Sequence, residues 1–158
     1  MVKADHSDAS HASHRETWQP ARPRKVSPEE LAQILSAHRL YLETNRREGR
    51  RGNLSATDLA GYDLAGGVLR RIKLDHALLR GANLARADLQ QANLVGADLE
   101  GACLTGADLG RARLSGTNLE GAKLEGALLV TADLEFAVMT RTALRQARLR
   151  GADIAGST

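Results

Sequence analysis

Two hydrophobic rhythms divide this chain of 158 residues. In the stretch SPEELAQILSAHRLYLETNRREG, Leu31, Ile34, Leu35, His38, Tyr41 and Leu42 recur at spacings that place them on one face of a helix. Ser27 can cap it, Pro28 suits the first turn, Glu30 stands at the capping-box offset and Gly49 marks the exit. The pattern therefore predicts one amphipathic helix over 27–49, roughly six turns at 3.6 residues per turn. From Gly52 onward the rhythm changes to five. Of the 21 sites spaced by five from 54 to 154, 19 are Leu, the other two being Met139 and Ile154, and only Leu78 and Leu128 fall outside the phase. Residues 1–26 show neither rhythm; they are polar, carry Pro20 and Pro23, and are expected to form a disordered arm.

A period of five suits neither standard element. On an α-helix five residues advance about 140° beyond a full turn, so the leucines would spiral around the surface. On a straight strand an odd spacing would send successive leucines to opposite sides. All of them face inward only if the chain changes direction once per repeat. The flanking residues agree: Ala precedes the central site by two positions at 14 of the 21 repeats, and Gly follows it by two at 11. A small residue fits inside near a corner, and Gly suits unusual backbone angles. Each repeat is then a short extended piece plus a bend, and the coils stack backbone to backbone around a column of Leu.

The units ANLAR, ADLQQ, ANLVG, ADLEG and ADLGR resemble the pentapeptide repeat family, whose pattern is Ala, Asp or Asn, Leu and two variable residues. The resemblance covers residues 52–156. It implies an all-β solenoid, a right-handed quadrilateral β-helix with four repeats per coil and about five coils; the spacing by itself does not choose four sides over three. The preceding segment resembles the helical lead-in of some bacterial members, and the helix is expected to cap the column, since a bare solenoid end exposes leucines and strand edges. Tyr62 and Ile72 stand where Ala is usual, which fits an end closed by a helix.

Aromatic residues make up only 3% of the chain, so the core has to be aliphatic. The single cysteine, Cys103, excludes an internal disulfide framework. With no apolar stretch of membrane-spanning length and no apolar core in MVKADHSDASHASH, the expectation is a soluble, cytoplasmic protein without a membrane partner. The formal charge of +3 belongs to residues 1–51, which hold ten Lys and Arg against seven Asp and Glu; residues 52–158 hold twelve of each. Along the repeats the net charge runs +2 over 52–87, −5 over 88–135 and +3 over 136–158.

Candidate chemistry is sparse. His6, His11 and His14 have no cysteine or carboxylate fixed beside them, so neither a metal nor a cofactor is expected. His38, on the apolar helix face, reads as a core or boundary histidine rather than a ligand, and His76 at a corner has no recognisable partner. A filled column offers no cavity in which nucleophile, base and oxyanion site could meet, so no enzyme is expected. Asp88, Asn93, Asp98 and Asp108, each one residue before a Leu, read as turn and ladder hydrogen-bonders.

The informative residues depart from the repeat on its outside. With four repeats per coil, positions 20 apart stack, and one face carries Arg70, Arg71, Arg111, Arg148 and Arg150 with Asp88, Asp108, Leu128 and Val130 among them. The opposite face carries Asp58, Asp98, Glu100 and Glu120, relieved by Arg80 and Arg141. Leu128, Val130, Phe136 and Val138 put apolar groups at outward or corner positions on successive faces near the C-terminal end, where self-association would hide them together with an open edge. The expected role is a non-catalytic protein–protein interaction or scaffold module, with a homodimer through the C-terminal coils. The alternative comes from the resemblance: some family members mimic DNA and act on DNA gyrase, but that needs a strongly acidic surface, and this repeat region is neutral. Direct nucleic-acid binding by the basic arm and the Arg face is weakened by the scarcity of aromatic stacking residues.

Overall fold

The computed structural model describes residues 23–158. Within them a helix opens a column built of five-residue steps. The helix α1 spans Pro28–Glu43, with Ser27 as N-cap accepting from the backbone N–H of Glu30 at 3.1 Å and Glu29 and Glu30 in the first turn, where the helix dipole favours acids. Its apolar face is the one expected: Leu31 and His38 are buried, and Ile34 and Leu35 pack against the core. It is shorter than expected. Rather than running to Gly49, it stops at Glu43 because Asn45 and Arg46 take left-handed backbone angles and the chain folds back. Gly49 is needed there: its φ is +73°, and a Cβ would lie 2.3 Å from the carbonyl oxygen of Ala37.

The arm was expected to be disordered through residue 26, and residues 1–22 lie outside those described. Its last residues are ordered. Strand β1, Arg24–Lys25, pairs in parallel with β2, Thr57–Asp58, so the arm supplies the first coil with the neighbour it would otherwise lack. Val26 is buried, and its carbonyl accepts the hydroxyl of Tyr62 at 2.6 Å.

From Asn53 onward every repeat contributes a parallel bridge to the residue 20 positions later, from Asn53 with Lys73 to Asp133 with Asp153. That spacing decides for four sides. The central residue donates its N–H to the coil that follows, as Leu99 does to the Asn118 carbonyl at 2.7 Å, while the residue before it donates to the coil that precedes. Each corner is a tight turn: the N–H of Ala102 returns to the carbonyl of Leu99 at 2.9 Å, with Gly101 between them at φ +64°. This is a type II turn, whose third residue needs positive φ. Arg71, His76, Arg86, Gln91, Arg111 and Phe136 adopt the same left-handed angle, so the ladder holds corners even without Gly.

The interior is two interlocked columns. The central leucines from Leu54 to Leu134 and the corner alanines from Ala77 to Ala137 are almost wholly buried. Each such Leu contributes about 2 kcal/mol of hydrophobic stabilisation. Stacked at about 4.8 Å, five coils make a rod roughly 25 Å long. At the helix end, Ile72 and Tyr62 fill the space that Ala leaves elsewhere, and Gly52 lets the chain pass between Ile72 and His38. A Cβ on Gly52 would lie 3.0 Å from Ile72 Cδ1 and 3.3 Å from His38 Cβ.

Candidate interaction surfaces

The outward Asp and Asn residues are structural. Asp88, Asp98 and Asp108 each accept the N–H two residues on, at 3.2, 3.3 and 3.0 Å, closing small side-chain turns. Asn118 adds a rung to the coil before it by donating to Asp98 at 3.1 Å.

One face of the rod gathers Val68, Asp88, Asp108, Leu128 and Arg148 in a single bridged row. Beside that row run Arg70 and Arg71, Gln90 and Gln91, Gly110 and Arg111, and Val130 and Thr131. The missing side chain at Gly110 leaves a groove of about 330 Å³ lined by Asp108, Arg111, Leu128 and Val130. Arg70 forks onto Asp88 with contacts of 3.1 and 2.9 Å. Arg111, Arg148 and Arg150 make no ion pair with any described residue.

The opposite face carries the row Asp58, Leu78, Asp98, Asn118 and Val138. Two arginines partly neutralise its acids. Arg80 bridges Asp98 at 2.5 Å and Glu100 at 2.9 Å, which raises its own pKa, and Arg141 meets Glu120 at 3.2 Å. Exposed pairs of this kind add little stability, but they interrupt the continuous negative field that a DNA-like surface would need.

The four apolar departures do not form one patch. Leu128 and Val130 line the groove on the Arg face, whereas Val138, ten residues and hence half a coil further on, lies on the opposite row. Phe136, 67% exposed, sits at a corner with its ring across Gly156 of the next coil. What these residues share is one end of the rod.

That end is open among the described residues. Met139, Leu144 and Leu149 are only partly covered and Ile154 is 52% exposed. The N–H groups of Leu144, Leu149 and Ile154, whose counterparts in earlier coils all donate to a following coil, have no acceptor among the described residues.

His38 is wholly buried under the first coil. Its Nδ1 accepts the Gly52 N–H at 3.0 Å, its ring stacks on Tyr41, and its Nε2 has no partner. Burial lowers its pKa; the Arg70 carbonyl opposes the shift and the Arg51 charge adds to it. The ring is a fixed, neutral spacer of the cap. His6, His11 and His14 lie outside the described residues, and among those described no group of three or more His, Cys, Asp or Glu could hold a metal ion. No described helix is long and apolar enough to cross a membrane.

Sequence reasoning passed over Arg46 and Arg51. The reversal after Glu43 brings both to the groove between α1 and the first coils, where they meet Arg71. The run NRREGRR was the available signal, but its direction depends on where the helix stops.

The family model for pentapeptide repeats matches residues 53–91, 72–111, 92–129, 112–151 and 128–158. A comparison with curated proteins finds no match. Among solved structures, a pentapeptide repeat protein of the Arabidopsis thaliana thylakoid lumen is 36% identical, with 65% of this chain and 66% of that one aligned and a TM-score of 0.41. The pentapeptide repeat protein Rfr23 from the cyanobacterium Cyanothece is 30% identical over 72% of this chain and 67% of its own, with a TM-score of 0.40. QnrB1, a plasmid-mediated fluoroquinolone resistance protein, is 19% identical over 72% of this chain and 69% of its own; its TM-score of 0.56 marks a shared fold. With the repeat matched across two thirds of its length and bridges every 20 residues, the chain belongs to the pentapeptide repeat family and is a right-handed quadrilateral β-helix.

Proposed function

We propose that this protein is a non-catalytic interaction module, a rigid rod closed by a helix at one end and joined to a second copy at the other. The observation that carries this reading is the state of the last coil, where half-covered Met139, Leu144 and Leu149, exposed Ile154 and unpaired N–H groups coincide with Phe136 and Val138. Packing two such ends together would bury apolar surface and satisfy strand edges in one step. The faces left free, one with unpaired arginines and one with paired acids, would then be presented twice, in fixed orientation, to a protein partner.

Light scattering on the purified chain tests the assembly. The expected species is a dimer that becomes monomeric when Ile154→Lys or the pair Phe136→Ser and Val138→Ser is introduced. A wild-type monomer at every concentration, together with unchanged partner capture by the variants, would sink the proposal.

A second reading, action on DNA gyrase by DNA mimicry, draws on the acidic zone of residues 88–135 and on the fold shared with QnrB1. The pairing of Arg80 and Arg141 with the acidic face weighs against it. A supercoiling assay separates the two: neither inhibition nor protection of gyrase at excess protein removes this reading.

A further inference from the structure

The junction between the helix and the first coil holds a second feature, unrelated to dimerisation. Residues 44–51 are tied down rather than loose. The Thr44 hydroxyl donates to the Leu40 carbonyl at 2.8 Å and accepts from the Glu48 N–H at 3.0 Å, Arg46 N–H returns to the Tyr41 carbonyl at 2.8 Å, and Arg50 N–H to that of Ala37 at 3.1 Å. This tight fold places Arg46 and Arg51 beside Arg71, with Tyr41 and Gln91, around an open compartment of about 310 Å³.

Two of these guanidinium groups are oriented through their inner nitrogen. Arg51 Nε donates to the Arg71 carbonyl at 2.5 Å, and Arg71 Nε donates to Gln91 Oε1 at 2.9 Å. Neither they nor Arg46 forms an ion pair with a described carboxylate. The outer nitrogens of Arg51 and Arg71 therefore make no ion pair among the described residues, and three positive charges line one open compartment. Arg71 and Gln91 also line the adjoining groove of about 470 Å³, whose walls include Leu42 and Val68 together with Glu43 and Asp88, carboxylates already paired with Arg39 and Arg70.

We propose that this junction binds a small ligand bearing two linked phosphate groups, the phosphates lying among Arg46, Arg51 and Arg71 and an organic body resting on Leu42 and Val68. A single carboxylate would occupy one fork and leave the other charges unmet, whereas a diphosphate offers enough oxygens and charge for all three. A long polyanion fits poorly, because beyond the groove, whose Asp88 is paired with Arg70, the same face continues to the carboxylate of Asp108.

Calorimetric titration of the full chain at moderate salt tests this with inorganic pyrophosphate, adenosine diphosphate, citrate and a DNA duplex as probes. The expected result is one site for pyrophosphate, tighter binding of adenosine diphosphate, and a loss of about tenfold or more in either Arg51→Gln or Arg71→Gln. Arg71→Lys should not restore affinity, since the fork is lost while the charge remains, and Arg46→Gln gives a third variant outside the coils. Arg113→Gln, away from the groove, should bind as the wild type does. No phosphate binding, citrate binding as tight as pyrophosphate, or indifference to all three arginines overturns the proposal. Duplex DNA held more tightly than pyrophosphate through the same arginines overturns it in favour of a nucleic-acid surface, and equal affinity for pyrophosphate and adenosine diphosphate removes the role of Leu42 and Val68.

Discussion

At the N-terminal end of the rod, which the helix closes, the central Leu54 and the corner Ile72 are buried, while at the far end Ile154, in the same central column as Leu54, is 52% exposed. The repeat is the same at both ends; what differs is the neighbour. The first coil receives a strand partner from Arg24 and Lys25, a helix across its leucines, and two large residues, Tyr62 and Ile72, that fill the gap a helix leaves over a square column. The last coil has none of these among the described residues. The stability of a solenoid repeat is the sum of its own and of what its stacked neighbours supply.

Several substitutions would break or sharpen that contrast. The largest effect is expected from truncation under the cap: Ile72→Ala should cost about 3 kcal/mol by opening a cavity, whereas Ile154→Ala should cost below about 1 kcal/mol, as read from urea midpoints of the two variants. Equal losses would mean that the far end is as well covered as the near one. Loosening the helix without touching the core comes next: Ser27→Ala removes the acceptor for the Glu30 N–H and should cost about 1 kcal/mol, visible as faster amide exchange in α1 but not in the last coil.

A smaller, pH-dependent effect is expected of His38. Because its folded pKa lies below the ordinary 6.5, the unfolded chain takes up the proton first on acidification. The stability held by the neutral ring is fully present above 6.5 and is lost as pH falls from there through the folded value. Melting temperatures measured between pH 7 and 5 should therefore decline more steeply for the wild type than for His38→Gln, and parallel curves would show that the cap does not depend on this ring. The smallest effect on folding belongs to Phe136→Ser with Val138→Ser, expected to change monomer stability by no more than about 0.5 kcal/mol. A large loss there would place these side chains in the fold rather than at an interface.

The column was legible because its signal is redundant. Repeated Leu five apart, with Ala before and Gly after, excludes helix and flat strand on geometry alone, and the pairing of Arg80 and Arg141 with the acidic face follows once positions 20 apart stack. Other features were not local properties. The end of α1 depends on Asn45 and Arg46 entering left-handed angles against the body of the helix, so the pattern carried it on to Gly49. The order of Arg24 and Lys25 depends on an open edge at Thr57 and Asp58. Leu128, Val130, Phe136 and Val138, placed on successive faces by the repeat, do separate onto different sides, since ten residues are half a coil.

Sequence by itself determined the repeat, the inward Leu and Ala columns and the amphipathic lead-in, because each is a periodicity that any stable backbone must satisfy locally. The four-sided coil, left open by the spacing, came from the family resemblance and is borne out; only the tertiary structure decided the strand contributed by the arm and the meeting of Arg46 and Arg51 with Arg71. These depend on which distant segments the closing of the column brings side by side, and no spacing along the chain encodes that distance.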